Sequence, residues 1–246
     1  MIASRTLARA GIGLFALVLV YPFLGFLAPI GKWRWDEPFW EQSAASIRVS
    51  LLLTGIAMMI VVAAGTPVAL YIARCAARER LLWQALLLVS ILLPPLALGI
   101  LLSIAFNQAG LRLSNTPAAF VVTQVYVSIG YYVLGAAAAF DAVPPMMEKH
   151  AALLGRNASQ IFWRISFPLS RLALAVALSV AWVRALGEFG AVAVTAYYPS
   201  GMPVQLWINL ESFGLPAVMP LLTIFLTAAL PLPWIIHLLA QRRHHA

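Results

Sequence analysis

Charge is the first thing this chain lacks. Only 10% of its 246 residues are Asp, Glu, Lys or Arg, while 63% are hydrophobic. A soluble domain carries roughly 25% charged residues because its surface must face water, so the solvent for most of this chain is lipid. Cysteine is nearly missing too. Cys75 stands alone, which excludes an intramolecular disulfide and a thiolate metal cluster and leaves an inert side chain near a helix end. Lysine is limited to Lys32 and Lys149, and neither sits in a G-x-x-x-x-G-K-[ST] loop, so ATP hydrolysis by that route is excluded. His150, His237, His244 and His245 lack partners at ligand spacing, so no metal site is expected. Neither H-E-x-x-H nor G-x-S-x-G occurs. These absences describe a conduit or scaffold, not a catalyst.

What is present is a series of long apolar runs. A bilayer core of roughly 30 Å needs about 20 mostly apolar residues per helix. The candidate spans are Ala8–Ile30, Val49–Ala73, Trp83–Phe106, Ala118–Phe140, Leu172–Val194 and Ala217–Ala240. The expected fold is therefore all-α: one polytopic membrane domain, residues 1–246, of about six transmembrane helices. The first run is read as a span because it is too long for a signal peptide and no Ala-x-Ala site closes it.

The net charge of +8 would suggest nucleic acid in a soluble chain. Here the cations fall between the runs, so the expected partner is the bilayer. Arg5, Arg9, Arg74, Arg78, Arg80, Lys149, Arg156, Arg164, Arg171, Arg242 and Arg243 occupy one set of connections. The other set holds only Lys32, Arg34, Arg48 and Arg112. The richer set is cytoplasmic by the positive-inside rule, which places both termini inside. Trp33, Trp35 and Trp40 then cluster at the outer surface, with Trp163 near the inner one.

The longest informative connection runs over about residues 141–171. Pro144 and Pro145 stop the preceding span. Residues 148–154 are helix formers with an acid, Glu148, in the favourable first turn, and Gly155 is placed to end that helix. A second, amphipathic stretch, Ala158–Phe167, is expected to lie at the interface before Pro168. Such a loop either returns the chain to the membrane or serves as a docking element for a soluble partner. The asparagine of the sequon Asn157-Ala158-Ser159 lies on this cytoplasmic side, so glycosylation is not expected.

These residues resemble the signature of ATP-binding-cassette (ABC) importer permeases: E-A-A-x-x-x-G, nine residues, then I-x-L-P. Gly155 and Ile165 have that spacing, Ile165-Ser166-Phe167-Pro168 carries Phe for Leu, and Ala151 falls on the second alanine. Lys149 and His150 replace the usual acid and first alanine, with Glu148 one residue earlier. Arg184-Ala185-Leu186-Gly187-Glu188-Phe189-Gly190-Ala191 is similar to the R-A-L-G-E-F-G-A segment of the molybdate and sulfate branch. Leu92-Leu93-Pro94-Pro95, Gly65-Thr66-Pro67 with Tyr71 and Arg74, and Met202-Pro203-Val204 match further elements in order. The resemblance covers roughly residues 46–240.

It implies a type I importer permease of a prokaryotic inner membrane. Two membrane subunits, either two copies or this chain and a close relative, would join two ATPase subunits and an external binding protein. The chain itself would hold no cofactor; ATP and Mg would bind the partner. The coupling residues would be Glu148, Lys149, Ala151, Ala152, Gly155, Arg156, Ile165 and Pro168. The implied cargo is a small oxyanion such as molybdate, tungstate or sulfate, moved inward by alternating access. Thiamine, iron, polyamine or phosphonate is the alternative within the family. An ATP-independent secondary transporter fits less well, because it needs several intramembrane ionisable groups or a repeat.

Arg184 and Glu188 lie within the fifth apolar run, where a lone charge costs roughly 2.5–3.5 kcal/mol. Spacing of i, i+4 allows them to pair. Two roles fit: an ion pair that fixes the span, or a pore lining where Arg184 offers an anion a transient site. Gly187 and Gly190 permit close helix approach or simple flexibility. Pro94 and Pro95 should bend the third span, along the pore or for packing alone. Asp36, Glu37 and Glu41 form either a binding-protein contact or a solvated rim.

Overall fold

The computed structural model describes residues 2–27 and 37–229, with side chains for 11–23 and 40–229. The described residues are helical and contain no strand. Three continuous stretches are long and apolar enough to cross a membrane: Trp40–Arg74, Pro117–Asp141 and Ala158–Leu186. The first lies in α2 (Glu37–Arg74) and the second is α5 (Pro117–Asp141). The third is built from α7 (Ala158–Ile161), a π-turn (Phe162–Ser166) and α8 (Phe167–Leu186).

The bundle centre is the packing of α2, α5 and α8. Its buried contacts are mainly small: Ala57, Ala69 and Ala73 on α2, Ala136, Ala137 and Ala139 on α5, Ala177, Ala181 and Ala185 on α8. Small side chains let helix backbones approach where no hydrophobic effect drives them together. At Gly135 an added Cβ would lie 2.8 Å from the Ala177 Cβ, and at Gly65 it would lie 2.8 Å from the Tyr132 ring.

The third expected span is not one helix. It divides into α3 (Ala77–Leu92) and α4 (Pro95–Gln108), bent by 103°. A residue before proline is pushed to extended backbone, and both Leu93 (ψ 128°) and Pro94 (ψ 133°) are extended. Two consecutive prolines thus break a helix that one would only kink.

The fifth expected span is displaced as well. It begins at Ala158 instead of Leu172 and ends at Leu186 instead of Val194. The stretch expected to lie apart at the interface is its first part. Pro168 does not interrupt it, because the preceding π-turn redirects the ladder: the Phe167 amide donates to the Phe162 carbonyl five residues back. At the far end the chain leaves the helix at Gly187 and restarts as α9 (Gly190–Thr195). A helix not anticipated, α10 (Met202–Phe213), follows, and Gly214 at φ +76° separates it from α11 (Leu215–Ala229).

The first and last expected spans extend onto residues outside those described. The parts that are described are the apolar stretches Gly11–Phe23 of α1 (Ile2–Leu27) and Leu215–Ala229. Trp33, Trp35, Asp36 and the histidines beyond residue 230 also lie outside. Arg74, Arg80, Asp141 and Glu148 meet at one end of the bundle.

Gly99 tests this packing. Its absent Cβ would fall 2.8 Å from the Ala191 carbonyl oxygen, and a backbone atom cannot swing aside. Gly99→Ala is expected to destabilise the protein by about 1–3 kcal/mol, read as a lower melting temperature in detergent.

Candidate functional site

Two sets of residues singled out from the sequence converge in the structure. The first is a junction between two broken helices. The α3–α4 break at Pro94 and Pro95 packs against the α8–α9 break at residues 187–190. An added Cβ at Gly190 would lie 3.1 Å from the Pro95 Cβ and 3.2 Å from the Leu96 nitrogen, so glycine is what lets the two breaks touch.

Glu188 holds the junction. Its side chain is 1% exposed. One carboxylate oxygen accepts from the Ala191 amide at 2.7 Å, satisfying a free donor in the first turn of α9. The other accepts from the Arg184 guanidinium. Arg184 is 25% exposed and also stands over the Tyr131 ring, 5.9 Å from its centroid. The pair forms at i, i+4 as expected, although Glu188 lies just beyond the helix that carries Arg184.

Several partners of this junction were not anticipated. Gln124 donates from Nε2 to the Ala185 carbonyl at 3.2 Å, near the end of α8. The Thr123 and Thr195 hydroxyls are 2.8 Å apart and bind α5 to α9. The available signal was a glutamine and a threonine side by side within an otherwise apolar run.

The second set is the loop after α5. Pro144 precedes and Pro145 opens α6 (Pro145–Leu153), where a missing amide hydrogen costs nothing. Gly155 has φ +78°. The Gly155 amide donates to the Ala152 carbonyl (3.0 Å) and the Arg156 amide to the Ala151 carbonyl (3.1 Å), closing a Schellman motif. Asn157 then starts α7 through a reciprocal capping box with Gln160. Lys149, Ala152, Gly155 and Arg156 are exposed, whereas Ala151, Ile165 and Pro168 are half-buried. The signature therefore has an outer half on the loop helix and an inner half where the chain re-enters the bundle.

Glu148 joins the halves. Arg74 grips its carboxylate with Nε and Nη2, each at 2.8 Å, and the Ser166 hydroxyl donates at 2.7 Å. The same guanidinium reaches the Phe140 and Val143 carbonyls. One acid thus ties α6 to the ends of α2 and α5 and to the π-turn. Phe140, Phe162, Trp163 and Phe167 stack in succession beside it. An adjoining cavity of about 460 Å³ is lined mainly by apolar groups, with Arg171 at its edge and the Thr66–Tyr132 hydroxyl pair inside. Such a lining suits acyl chains better than an oxyanion.

This all-α arrangement of broken and continuous spans is the fold of type I importer permeases. The solved chain of a bacterial alginate ABC transporter superposes with a TM-score of 0.75 at 15% identity, covering 98% of this chain and 94% of that one. The MetNI methionine ABC transporter gives 0.65 at 15% identity, covering 84% and 96%. Residues 65–245 match the family "Binding-protein-dependent transport system inner membrane component", and the chain belongs to that family. It is an integral inner-membrane ABC importer permease, a transport subunit and not an enzyme. It is 30% identical to a probable molybdenum ABC transporter permease protein of Haloferax volcanii, covering 96% of this chain and 93% of that one. It is 29% identical to the molybdate/tungstate transport system permease protein WtpB of Pyrococcus abyssi (75% and 73%). The sulfate transport system permease protein CysT of Escherichia coli is 24% identical (92% and 88%).

The Arg74 contact, with the Ser166 hydroxyl adding to it, holds the Glu148 carboxyl below its ordinary value of 4.5. A depressed carboxylate stabilises the fold fully above its unfolded value and loses that contribution as pH falls through the folded one. Acidification below about 4.5 should therefore loosen α6, seen as faster hydrogen exchange at residues 145–153 after correction for intrinsic rates. Glu148→Gln should do the same at neutral pH and cost about 1–3 kcal/mol.

Proposed function

We propose that this chain, as a single permease domain over residues 1–246, carries a tetrahedral oxyanion inward, with molybdate or tungstate the first candidates and sulfate next. The observation that carries the reading is the junction at Arg184. It places a partly exposed cation, already charge-balanced by a buried acid, where two helix breaks meet. A balanced arginine attracts a dianion only transiently, and a conduit needs binding weak enough for release. The molybdate, tungstate and sulfate relatives support the cargo class.

The working assembly is this chain with a second permease, identical or closely related, two ATPase subunits that bind ATP and Mg, and an external binding protein. Both termini are cytoplasmic, so α6 faces the ATPase. When the ATPases close, α6 moves with them. The grip of Arg74 and Ser166 on Glu148 passes that movement to α2 and α8, and the breaks at Pro94–Pro95 and Gly187–Gly190 supply the hinge. The chain's own residues position and conduct; the chemistry of ATP belongs to the partner.

Co-expression with an ATPase subunit of a molybdate-type importer from the same organism, followed by affinity purification and a vanadate-sensitive ATPase assay, tests the reading. Wild type should retain the ATPase. Gly155→Pro should lose it, because proline cannot adopt φ +78°. Retention by the variant, or no binding to wild type, contradicts the docking assignment. Molybdate uptake into proteoliposomes, competed by tungstate and then sulfate but not by thiamine or a polyamine, tests the cargo.

A further inference from the structure

The cavity of about 460 Å³ beside the π-turn serves neither the junction nor the loop signature. Its volume lies within the range of roughly 300–1,000 Å³ found for ligand sites. Residues of α2, α5 and α8 form its walls, with Phe162 and Trp163 of the π-turn on one side. The floor is closed: Tyr132 is 3% exposed and Leu174 6%. The mouth is open, since Trp163 is 61% exposed and Arg171 is exposed as well. Thr66, bonded to Tyr132, lies about 12 Å along α2 from Arg74 and the charged end of the bundle. That depth falls within the roughly 15 Å of hydrocarbon that one leaflet supplies.

The polar groups inside are already engaged. A hydroxyl has one hydrogen to donate. Thr66 gives its own to the Val62 carbonyl at 2.7 Å, so Tyr132 donates to the Thr66 oxygen at 2.8 Å. No hydroxyl hydrogen is left at the floor for an anion, and the walls above it are apolar. Charge is confined to the mouth. Arg171 lines it, and Arg164 follows Trp163 in the π-turn. Among the described residues neither arginine has a carboxylate within ion-pair distance. Trp163 stands with them, and tryptophan settles at the headgroup level of a bilayer. An apolar interior under a cationic, aromatic rim is complementary to an amphiphile with an anionic head.

We propose that the cavity holds an acyl chain of an anionic phospholipid whose phosphate rests on Arg171 and Arg164 at the mouth. Basic pockets between spans bind anionic headgroups by this complementarity. The chain reaches Leu174 and the hydroxyl pair, filling space that protein atoms leave empty between α2, α5 and α8. An unfilled apolar void forfeits the dispersion contacts of its lining. Phe162 on the cavity wall belongs to the same π-turn as Ser166, which donates to Glu148. A bound lipid therefore braces that joint and stabilises the permease by mass action. The site depends neither on the cargo nor on the ATPase.

Native mass spectrometry of the delipidated full-length permease, titrated with phosphatidylglycerol or with phosphatidylcholine of identical chains, tests this. Wild type should hold one phosphatidylglycerol about tenfold more tightly than phosphatidylcholine, and that lipid should raise its melting temperature. Arg171→Gln should cut the preference about fivefold. Arg78→Gln, which removes an exposed cation outside the cavity, should leave it unchanged. Ala175→Phe fills the cavity from α8 and Ala63→Leu from α2. Each should weaken phosphatidylglycerol binding about tenfold or more without lowering the melting temperature of the lipid-free protein. Equal affinity for the two lipids, or an equal effect of Arg78→Gln, would assign binding to the general surface and overturn the proposal. Tight binding that survives both filled variants, or no binding by wild type, overturns it as well. A lower lipid-free melting temperature in both filled variants would mean that protein, from this chain or a second copy, occupies the cavity, and that too overturns it. No ATPase or molybdate is present in these measurements, so the oxyanion and docking readings stand or fall separately.

Discussion

A carboxylate buried in an apolar bundle must be matched in charge and in hydrogen bonding together, and Glu188 meets both demands within one turn. It neutralises Arg184 and it caps α9 through the Ala191 amide. In lipid no water is present to take either task, so an unmatched group there costs several kcal/mol. Removing one partner of such a pair costs about 3–5 kcal/mol because the other is left charged and buried. The chain can leave the helix at Gly187 only because this side chain receives the next one. The close contact of Gly190 with Pro95, and of Gly99 with Ala191, follows from that break.

The second joint uses the same chemistry at the membrane edge. Glu148 there is gripped by Arg74 instead of capping a helix. Both acids thus serve internal order.

Much of this was legible in the sequence. The all-α membrane class followed from composition, the loop helix from the helix formers at 148–154 and Gly155, and the pairing of Arg184 with Glu188 from their spacing. The signature motifs carry the family resemblance in sequence alone. What was not legible has particular causes. Hydropathy counts apolar residues without regard to direction, so it ran the third span through Pro94–Pro95 and carried the fifth past Gly187. It also missed that the π-turn before Pro168 joins the supposed interfacial stretch to α8, since such a turn has no composition of its own. The short α10 escaped because residues 202–213 include Gln205, Asn209 and Glu211, which lower its apolarity. The structural partners Gln124, Thr123 and Thr195 depend on tertiary contact alone.

In the proposed function the charge of Arg184, not merely its bond to Glu188, serves passage of the anion. The most direct measurement is molybdate uptake by proteoliposomes of the assembled transporter carrying Arg184→Gln with Glu188→Gln. The two introduced amides can still hydrogen-bond to each other, and the new side-chain carbonyl at position 188 can still accept from the Ala191 amide. The junction should therefore fold, and the ATPase should still dock. Uptake lost by at least tenfold while the complex remains assembled is the result this account predicts. Uptake equal to wild type in the assembled complex would contradict it and leave the pair a structural fastening only.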